Sequence, residues 1–251
     1  MQSQTRRLLS VEGMTRKLLI IDTGGVSAKK LASRLAPLYA PSRRFVLGHK
    51  PNGADYDAAD FAAMDKAALL RDFDFFAGPF QLQDIRDLAV EDEVLGIVLV
   101  RDPYERALSL FIDATVTALH PLHGSVIRTT LADFAANRSL FSNAQCQQLG
   151  GGDAAAAQEM LAAQTIYAPT EAVKKLGLLL EYFLGRPLSL QGLRAPLFDQ
   201  AHLMPMPGKE AVGEFMRVNR EDFVLHSWAR RTWLGHAKAR LTAFAKPGRA
   251  S

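Results

Sequence analysis

The fold is decided by two adjoining segments, Val94–Val100 (VLGIVLV) and Arg101–Ser109 (RDPYERALS). Every residue of the first segment is apolar or glycine, so a strand formed by it would be apolar on both faces. Strands of this kind lie in parallel sheets whose two faces are covered by helices. The second segment carries the signals of a helix start. Together the two segments predict a central parallel strand that leads directly into a helix.

Three residues mark the helix start. Asp102 is a favourable N-cap, Pro103 suits the first helical position, and Glu105 completes a capping box. Ser109 lies seven residues past Asp102 and so returns to nearly the same face of the helix. Arg101 leaves the strand beside that face, at the edge where open α/β sheets bind ligands. An arginine fork and a serine hydroxyl that converge there suit a phosphate group.

The charged residues of the second segment also allow a purely structural interpretation. Asp102, Glu105 and Arg106 could cap the helix and pair among themselves. That interpretation explains three residues but leaves Arg101 and Ser109 without a role, so the sequence still favours an anion site.

A second strand-to-helix junction lies at Ile20–Ser27 (IIDTGGVS). Gly24 and Gly25 let the backbone approach a ligand closely, and the helix start offers unpaired N–H groups. Thr23 and Ser27 add hydroxyl donors, so the loop could cradle a phosphate or sulfate. The alternative is a tight turn that Ser27 merely caps. The loop is neither a Walker A loop nor a GxGxxG fingerprint.

The rest of the chain alternates strand and helix signals and then becomes helical. Further strands are predicted at Lys17–Asp22, Arg44–Leu47 and Phe73–Ala77. Helices are predicted at Ser27–Leu38, Phe61–Leu70, Gln158–Ile166, Glu171–Leu184 and Glu221–Phe244. Residues 50–60, Gly150–Gly152 and Pro196–Gly208 read as loops. This order predicts a three-layer α/β domain with a short central parallel sheet and a helical C-terminal half.

The composition is that of an ordinary globular protein, with 251 residues, 48% of them hydrophobic and 22% charged. The net charge of +4 fits an anionic ligand, but the basic residues are too scattered to predict nucleic-acid binding. The single cysteine, Cys146, excludes an intrachain disulfide and any cysteine-based zinc site, and no metal is predicted.

No apolar run approaches the ~18–20 residues needed to span a bilayer, so a cytoplasmic protein is predicted. Residues 1–13 lack the apolar core of a signal peptide and are expected to form a flexible extension, with Met14 as an alternative start. Residues 14–245 are predicted to form one domain, and residues 246–251 a flexible tail.

These junctions resemble the cofactor site of sulfotransferases that use 3′-phosphoadenylyl sulfate (PAPS), particularly the carbohydrate group related to heparan sulfate 2-O-sulfotransferase. Arg101–Ser109 is similar to that family's 3′-phosphate segment, and Asp22–Ser27 (DTGGVS) to its P-K-T-G-G-T-S loop. The resemblance implies a P-loop-like fold and a 3′-phosphate held by Arg101 and Ser109. It also implies that the loop binds the 5′-phosphosulfate through Thr23, Gly24, Gly25, Val26 and Ser27.

Three later stretches are similar to the same family, in the same order. Asn143–Gly151 (NAQCQQLGG) resembles its N-x-Q-T-R-x-L-x-G segment, Ala168–Gly185 its G-L-x-E segment and following helix, and Asn219–Trp233 its closing N-x-x-D-x-x-L-Y helix. The resemblance thus runs from residue 17 to about residue 235 and implies that Asn143 and Gln145 line the inner wall of the acceptor site.

The departures from the family pattern fall on residues that carry chemistry. Asp22 stands where the family has a loop lysine that stabilises the oxygen of the leaving group, and Pro79 stands where it has the histidine that serves as general base. Cys146-Gln147 replaces a Thr-Arg pair, and Val26 replaces a threonine. We expect the loss of the lysine to slow sulfuryl transfer by on the order of 10²–10³.

Two kinds of substitute are available nearby. Lys29 or Lys30, in the first turns of the helix, could reach back to the sulfate. His49 could act as a base if its loop folds over the site. Each residue has an equally simple structural interpretation, as a surface lysine or a loop histidine, so no catalytic residue is assigned.

Three functions are therefore considered. The first is an enzyme that transfers a sulfuryl group from PAPS to a hydroxyl acceptor, a carbohydrate being the expected class. The second is a protein that binds the nucleotide without turnover and has a regulatory role, as Asp22 and Pro79 suggest. The third, a nucleotide-kinase-like protein, is disfavoured because the chain has no Walker lysine in this loop.

Overall fold

The structure is a computed structural model, and it describes residues 10–11, 14–15, 17–24, 26–48, 56–81, 94–118, 120, 122–184, 187–188 and 208–245. Gly25 and His49 lie outside the described residues. So do the tail at 246–251 and most of the predicted loops at 50–60 and Pro196–Gly208.

The described strands form a short hairpin and one larger parallel sheet. The hairpin pairs β1 (Ser10–Val11) with β2 (Met14–Thr15), so part of the predicted N-terminal extension is strand. The parallel sheet has the order β4-β5-β3-β6-β7. Its strands are β3 (Lys17–Ile21), β4 (Arg44–Val46), β5 (Phe75–Gly78), β6 (Val94–Val100) and β7 (Thr165–Pro169).

The strand β6 is central, as predicted. It pairs in parallel with β3 on one side and with β7 on the other, so that Ile97 lies between Ile20 and Ile166. All seven residues of β6 and all five of β3 are buried. Because successive side chains point to opposite faces of a strand, both faces of the sheet are covered. The chain therefore has an α/β fold built on a five-stranded parallel sheet.

Helices make up most of the described residues outside the sheet. They are α1 (Val26–Leu35), α2 (Ala58–Ala63), α3 (Lys66–Asp72), α4 (Pro103–Val116), α5 (His123–Val126), α6 (Leu131–Ala135), α7 (Arg138–Phe141), α8 (Ala144–Gly150), α9 (Ala154–Gln164), α10 (Val173–Leu184), α11 (Lys209–Val218) and α12 (Arg220–Ala245). Single 3-10 turns follow α1 and precede β4 and α10.

The single helix predicted at Phe61–Leu70 is two helices. Asp57 caps α2 with a complete capping box, and Asp65 caps α3 through the backbone N–H of Ala67. An aspartate that accepts hydrogen bonds from backbone amides starts a new helix more effectively than it continues an old one. The second cap therefore divides the predicted helix at Met64.

The helix predicted at Gln158–Ile166 is also wrong at its C-terminal end. Helix α9 ends at Gln164, and residues Thr165–Pro169 form the edge strand β7. A short apolar run fits a buried helix and a buried strand equally well by periodicity. Residues 165–169 form a strand because they pair with β6, and this pairing is not visible in the local sequence.

Two buried clusters hold these elements together. The larger one surrounds the sheet, where α1 contacts β3, β5 and β6 and α12 runs along β7. The smaller one lies among α4 to α7 and includes Phe215 of α11. On β7, the ring of Tyr167 stacks on Trp228 and on His236, both from α12. Among the described residues, no helix is long and apolar enough to cross a membrane.

A buried ion cluster joins the amino ends of β3 and β5. Asp74 accepts hydrogen bonds from Lys17 Nζ at 3.0 Å and from Arg43 Nε at 2.8 Å. Lys17 Nζ also donates to the carbonyl oxygens of Leu70 and Phe73. Burial alone would raise the pKa of Asp74, but the hydrogen bonds from Arg43 and Lys17 outweigh it and lower the pKa.

We predict that Asp74→Asn lowers the free energy of unfolding by about 3 kcal/mol, because it removes the carboxylate charge that lies 3.0 Å from the buried ammonium of Lys17. Since the pKa of Asp74 is lower in the folded protein, its contribution is complete above the unfolded value of about 4. It is lost as the pH falls through the lower folded pKa. Urea unfolding between pH 3 and pH 7 measures both effects. A variant as stable as the wild type at pH 7 would contradict the prediction.

Candidate functional site

The two predicted binding segments meet at the carboxyl edge of the sheet. They follow β3 and β6, which are neighbours in the sheet. From β3 the chain moves through α1 toward β4 on one side, and from β6 it moves toward β7 on the other. Such a point, where successive connections diverge, leaves a crevice outside the strand ends and is the usual ligand site of open α/β sheets.

The loop between β3 and α1 is held by its own side chains. The carboxylate of Asp22 accepts a hydrogen bond from the backbone N–H of Gly24 at 2.9 Å. The hydroxyl of Thr23 donates to the carbonyl oxygen of Leu99 on β6 at 2.6 Å. Gly24 has φ +92°, a conformation that residues with a Cβ rarely adopt. The amide of Gly24 and the hydroxyl proton of Thr23, both predicted to bind an anion, are thus used inside the protein.

Arg101 lies where the sequence predicts it, at the end of β6, and is only 2% exposed. Its Nε and Nη1 are buried and have no hydrogen-bond partner within the described part of the chain. Burial, the largest cause, lowers the pKa of Arg101; Glu105 and Asp22 oppose this effect, and the positive charge of Arg106 adds to it. Buried guanidinium nitrogens that lack hydrogen bonds are unfavourable, and an anionic ligand would remove that cost.

Ser109 lies on the buried face of α4, two turns after the helix starts. The helix begins at Pro103, and Asp102 accepts hydrogen bonds from the amides of Tyr104 and Glu105, as predicted for the cap. Both Arg101 and Ser109 are therefore buried, and the convergence of the two side chains on one phosphate stays a prediction.

Asn143 and Gln145 have scaffolding contacts. The side chain of Gln145 holds the backbone of Arg101 at both ends, accepting from its N–H at 2.8 Å and donating to its carbonyl at 2.7 Å. Asn143, with φ +46°, caps α12 by accepting from the amides of Glu221 and Asp222. Direct contact of Asn143 and Gln145 with an acceptor stays a prediction.

Just as Asn143, before α8, caps α12, a residue of α12 caps α8 in return. The carboxylate of Asp222 accepts hydrogen bonds from the amides of Gln145 and Cys146, the second and third residues of α8. Burial raises the pKa of Asp222, while these two hydrogen bonds and the charge of Arg106 oppose the increase. The starts of α8 and α12 are thus fixed by each other, and Gln145 is fixed with them.

Arg106 has a position that the sequence analysis missed. The structural interpretation paired it with Asp102 or Glu105 on its own helix, but its Nε donates to the carbonyl oxygen of Thr23 at 2.9 Å. Its guanidinium lies against Gly24, where an added Cβ would be 3.1 Å from Nε. No local signal distinguishes this arginine from a helix-surface arginine, because the contact spans 83 residues.

Lys29 and Lys30, the proposed substitutes for the loop lysine, have no described side-chain contact with the β3–α1 loop. Lys29 is exposed and Lys30 is half-buried on α1. Val26 is the first residue of α1, and Ser27, the second, is buried. Pro79 is exposed just after β5.

His226 was also missed. This buried residue of α12 lies between the carboxylates of Glu171, at 3.3 Å, and Asp102, at 3.9 Å. Burial would raise the pKa of Glu171, but hydrogen bonding to His226 and the charge of Arg230 lower it. The contact between His226 and Asp102 links α12 to the residue next to Arg101.

The sequence matches no protein-family model and no curated protein. Among the described residues, no group of three or more histidine, cysteine, aspartate or glutamate side chains is arranged to hold a metal ion.

Proposed function

We propose that this protein binds PAPS and transfers its sulfuryl group to a hydroxyl acceptor, with a carbohydrate as the expected acceptor class. The observation that carries the proposal is Arg101 at the carboxyl end of the central strand, a buried guanidinium in which two nitrogens have no hydrogen-bond partner among the described residues. A guanidinium binds a phosphate through two nitrogens on one edge, and each edge of Arg101, Nε with Nη2 or Nη1 with Nη2, includes one of the two unpartnered nitrogens.

The arrangement of the strands supports the same proposal. The loop after β3 and the segment after β6 are adjacent at the switch point of the sheet. This is the relation expected if one segment holds the 5′ end and the other the 3′-phosphate of one nucleotide in a P-loop-like fold. We assign Arg101 and Ser109 to the 3′-phosphate. The loop from Thr23 to Ser27 is assigned to the 5′-phosphosulfate, with the Ser27 hydroxyl and the amides of the helix start as donors, since the Thr23 hydroxyl and the Gly24 amide are bonded within the protein.

In the proposed reaction, the hydroxyl oxygen of the acceptor attacks the sulfur in line with the oxygen that bridges sulfur and phosphorus. A new S–O bond forms and the bridging S–O bond breaks, which releases adenosine 3′,5′-bisphosphate. The hydroxyl proton passes to a base that is not assigned, since His49 lies outside the described residues. Positioning and charge stabilisation carry most of the catalysis in such displacements.

A second function, nucleotide binding without turnover, is favoured by Asp22. Asp22 is 8% exposed, and its carboxylate accepts the Gly24 amide. Burial lowers the pKa of Arg101 and of Arg106, and the nearby charge of Asp22 opposes this lowering in both. The negative charge of Asp22 repels the sulfate. Its carboxylate also accepts the hydrogen bond of the Gly24 amide, which is then not available to the sulfate. Binding of the desulfated nucleotide is expected under both functions, whereas a sulfated product is expected only under the first.

Thermal-shift titration with adenosine 3′,5′-bisphosphate, AMP and ATP tests the site directly. At 100 times its dissociation constant a ligand adds ~2.7 kcal/mol of stability, which raises Tm by roughly 5–10 °C for a domain of this size. We expect this shift with the bisphosphate and a smaller one with AMP. Transfer of label from [³⁵S]PAPS to a panel of saccharides then separates the two functions. No shift with the bisphosphate would overturn both, and a larger shift with ATP would favour a kinase-like protein.

A further inference from the structure

The side chain of Arg106 crosses from α4 to the loop between β3 and α1. Its Nε donates to the carbonyl oxygen of Thr23 at 2.9 Å, and its Nε and Nη2 lie 3.1 Å and 3.3 Å from the point where Gly24 would carry a Cβ. The glycine at this position therefore leaves room for the guanidinium. The same loop is the one that the proposed function assigns to the 5′ end of the nucleotide.

One hydrogen bond leaves most of this guanidinium available. Among the described residues, its hydrogen bonding is limited to Nε, so the two terminal amino groups remain for a ligand. The ring of Phe141 lies 5.9 Å from the Cζ atom and covers part of the group. The bond to Thr23 fixes the plane of the fork, which lowers the ordering cost of binding an anion.

Charges of both signs surround Arg106. Burial lowers the pKa of Arg106, and Asp222 and Asp22 oppose the effect. Arg106 in turn lowers the pKa of Arg101, so the two guanidinium groups are close enough to repel each other. Asp222 already accepts two backbone amides at the start of α8. A ligand with a negative group at each end would relieve the repulsion between the two arginines.

We propose that Arg106 binds the 5′-phosphosulfate of the nucleotide and supplies the positive charge that Asp22 does not. This inference rests on the proposed function and adds a residue to it. The terminal amino groups of Arg106 would bind the oxygens on which negative charge develops as the bridging S–O bond breaks. Lys29 and Lys30 are less suited because neither has a described contact with the loop, whereas Arg106 is already bonded to it.

The alternative is that Arg106 only braces the loop through Thr23. The two roles predict different effects on the ligand-free protein. Because the braced loop is itself assigned to the 5′ group, loss of a brace is expected to lower the stability of the ligand-free protein together with the affinity for 5′ nucleotides. Loss of a ligand for the 5′ group is expected to lower only that affinity, with the ligand-free protein as stable as the wild type. Three ligands separate the contributions: adenosine 3′,5′-bisphosphate, adenosine 3′-monophosphate without the 5′-phosphate, and AMP without the 3′-phosphate.

The experiment measures the affinities of the three ligands for the wild type, Arg106→Gln, Arg106→Lys and the control Arg231→Gln by calorimetry, together with the thermal stability of each ligand-free protein. Arg231 is an exposed arginine on α12. We expect Arg106→Gln to reduce the preference for the bisphosphate over the 3′-monophosphate by roughly 10- to 100-fold, as for loss of a charged hydrogen bond. Its preference for the bisphosphate over AMP should be unchanged. Arg106→Lys, which keeps the charge, should retain part of the lost preference, and the control should match the wild type.

The outcomes distinguish this inference from the proposed function. If the wild type binds the bisphosphate selectively but Arg106→Gln keeps the wild-type ratio of bisphosphate to 3′-monophosphate, or lowers it together with the stability of the ligand-free protein, Arg106 is a brace and only this inference is overturned. If the wild type binds none of the three ligands, the proposed function fails as well. Should Arg106→Gln fail to fold, the same ratio measured on Arg106→Lys decides, because an undiminished preference in that variant would contradict a bidentate contact.

Discussion

Arg101→Met is expected to abolish the preference for nucleotides with a 3′-phosphate while leaving the ligand-free protein at least as stable as the wild type. Within the residues that the structure describes, two nitrogens of the buried guanidinium have no partner, and an apolar side chain of similar length removes that cost. The same change removes the fork that binds phosphate. We expect the affinity for adenosine 3′,5′-bisphosphate to fall by about 10²–10³-fold, whereas that for AMP changes little. Thermal unfolding with and without each nucleotide measures both effects.

The control for Arg101 is Arg44→Met, in which the lost side chain donates to the carbonyl oxygen of Tyr39 in the loop before β4. This variant should lose stability and keep nucleotide binding. A strong destabilisation of Arg101→Met without ligand would show that the guanidinium is satisfied inside the protein. The argument for an anion site at this position would then be lost.

The second large effect is expected at Asp22. Asp22→Asn keeps an oxygen that accepts the Gly24 amide but removes the negative charge beside Arg101 and Arg106, so the bisphosphate should bind roughly tenfold tighter or more. Asp22→Lys adds the charge that stabilises the leaving group in the family resembled by the chain. If the protein transfers sulfuryl groups, this variant should raise kcat by on the order of 10²–10³. Single-turnover transfer from [³⁵S]PAPS to the acceptor found in the panel measures the gain.

The two variants separate two effects: the loss of the negative charge of Asp22 on nucleotide binding, and the gain of a positive charge on catalysis. Weaker bisphosphate binding in Asp22→Asn would mean that the carboxylate organises the loop for the ligand rather than repelling it. Equal kcat in Asp22→Asn and Asp22→Lys would mean that the leaving group is already stabilised by another residue, and Arg106 is the candidate that the structure offers.

The central strand and the helix after it were predictable because their signals are local. Val94–Val100 is apolar throughout, and Asp102, Pro103 and Glu105 lie in the first turn that they specify. The placement of Arg101 at the sheet edge follows from those signals alone. The strand β7 was not predictable, because residues Thr165–Pro169 become a strand by pairing with β6, whose sequence lies more than sixty residues earlier.

The candidate site was predictable in position but not in its internal contacts. The positions of Arg101 and of the β3–α1 loop are predictable because both come directly after a strand. The carboxyl ends of parallel strands lie at one edge of a sheet. The hydrogen bond between Arg106 and Thr23 depends on how close α4 lies to that loop. No pattern of residues in the sequence predicts this distance. The amide of Gln145 likewise clamps Arg101 across 44 residues of sequence, so its role emerges only from the packed structure.

The mutual capping of α8 and α12 has a consequence for the order in which a nascent chain can mature. Asp222 closes the start of α8, and Asn143 closes the start of α12, so neither cap exists until the later segment has left the ribosome. Synthesis at ~5–20 residues per second gives the sheet several seconds to assemble first. The carboxylate of Asp222 can bind the amide of Gln145 only once α12 has been synthesised and has docked. The residue that holds the backbone of Arg101 is thus itself held by a helix made more than seventy residues later.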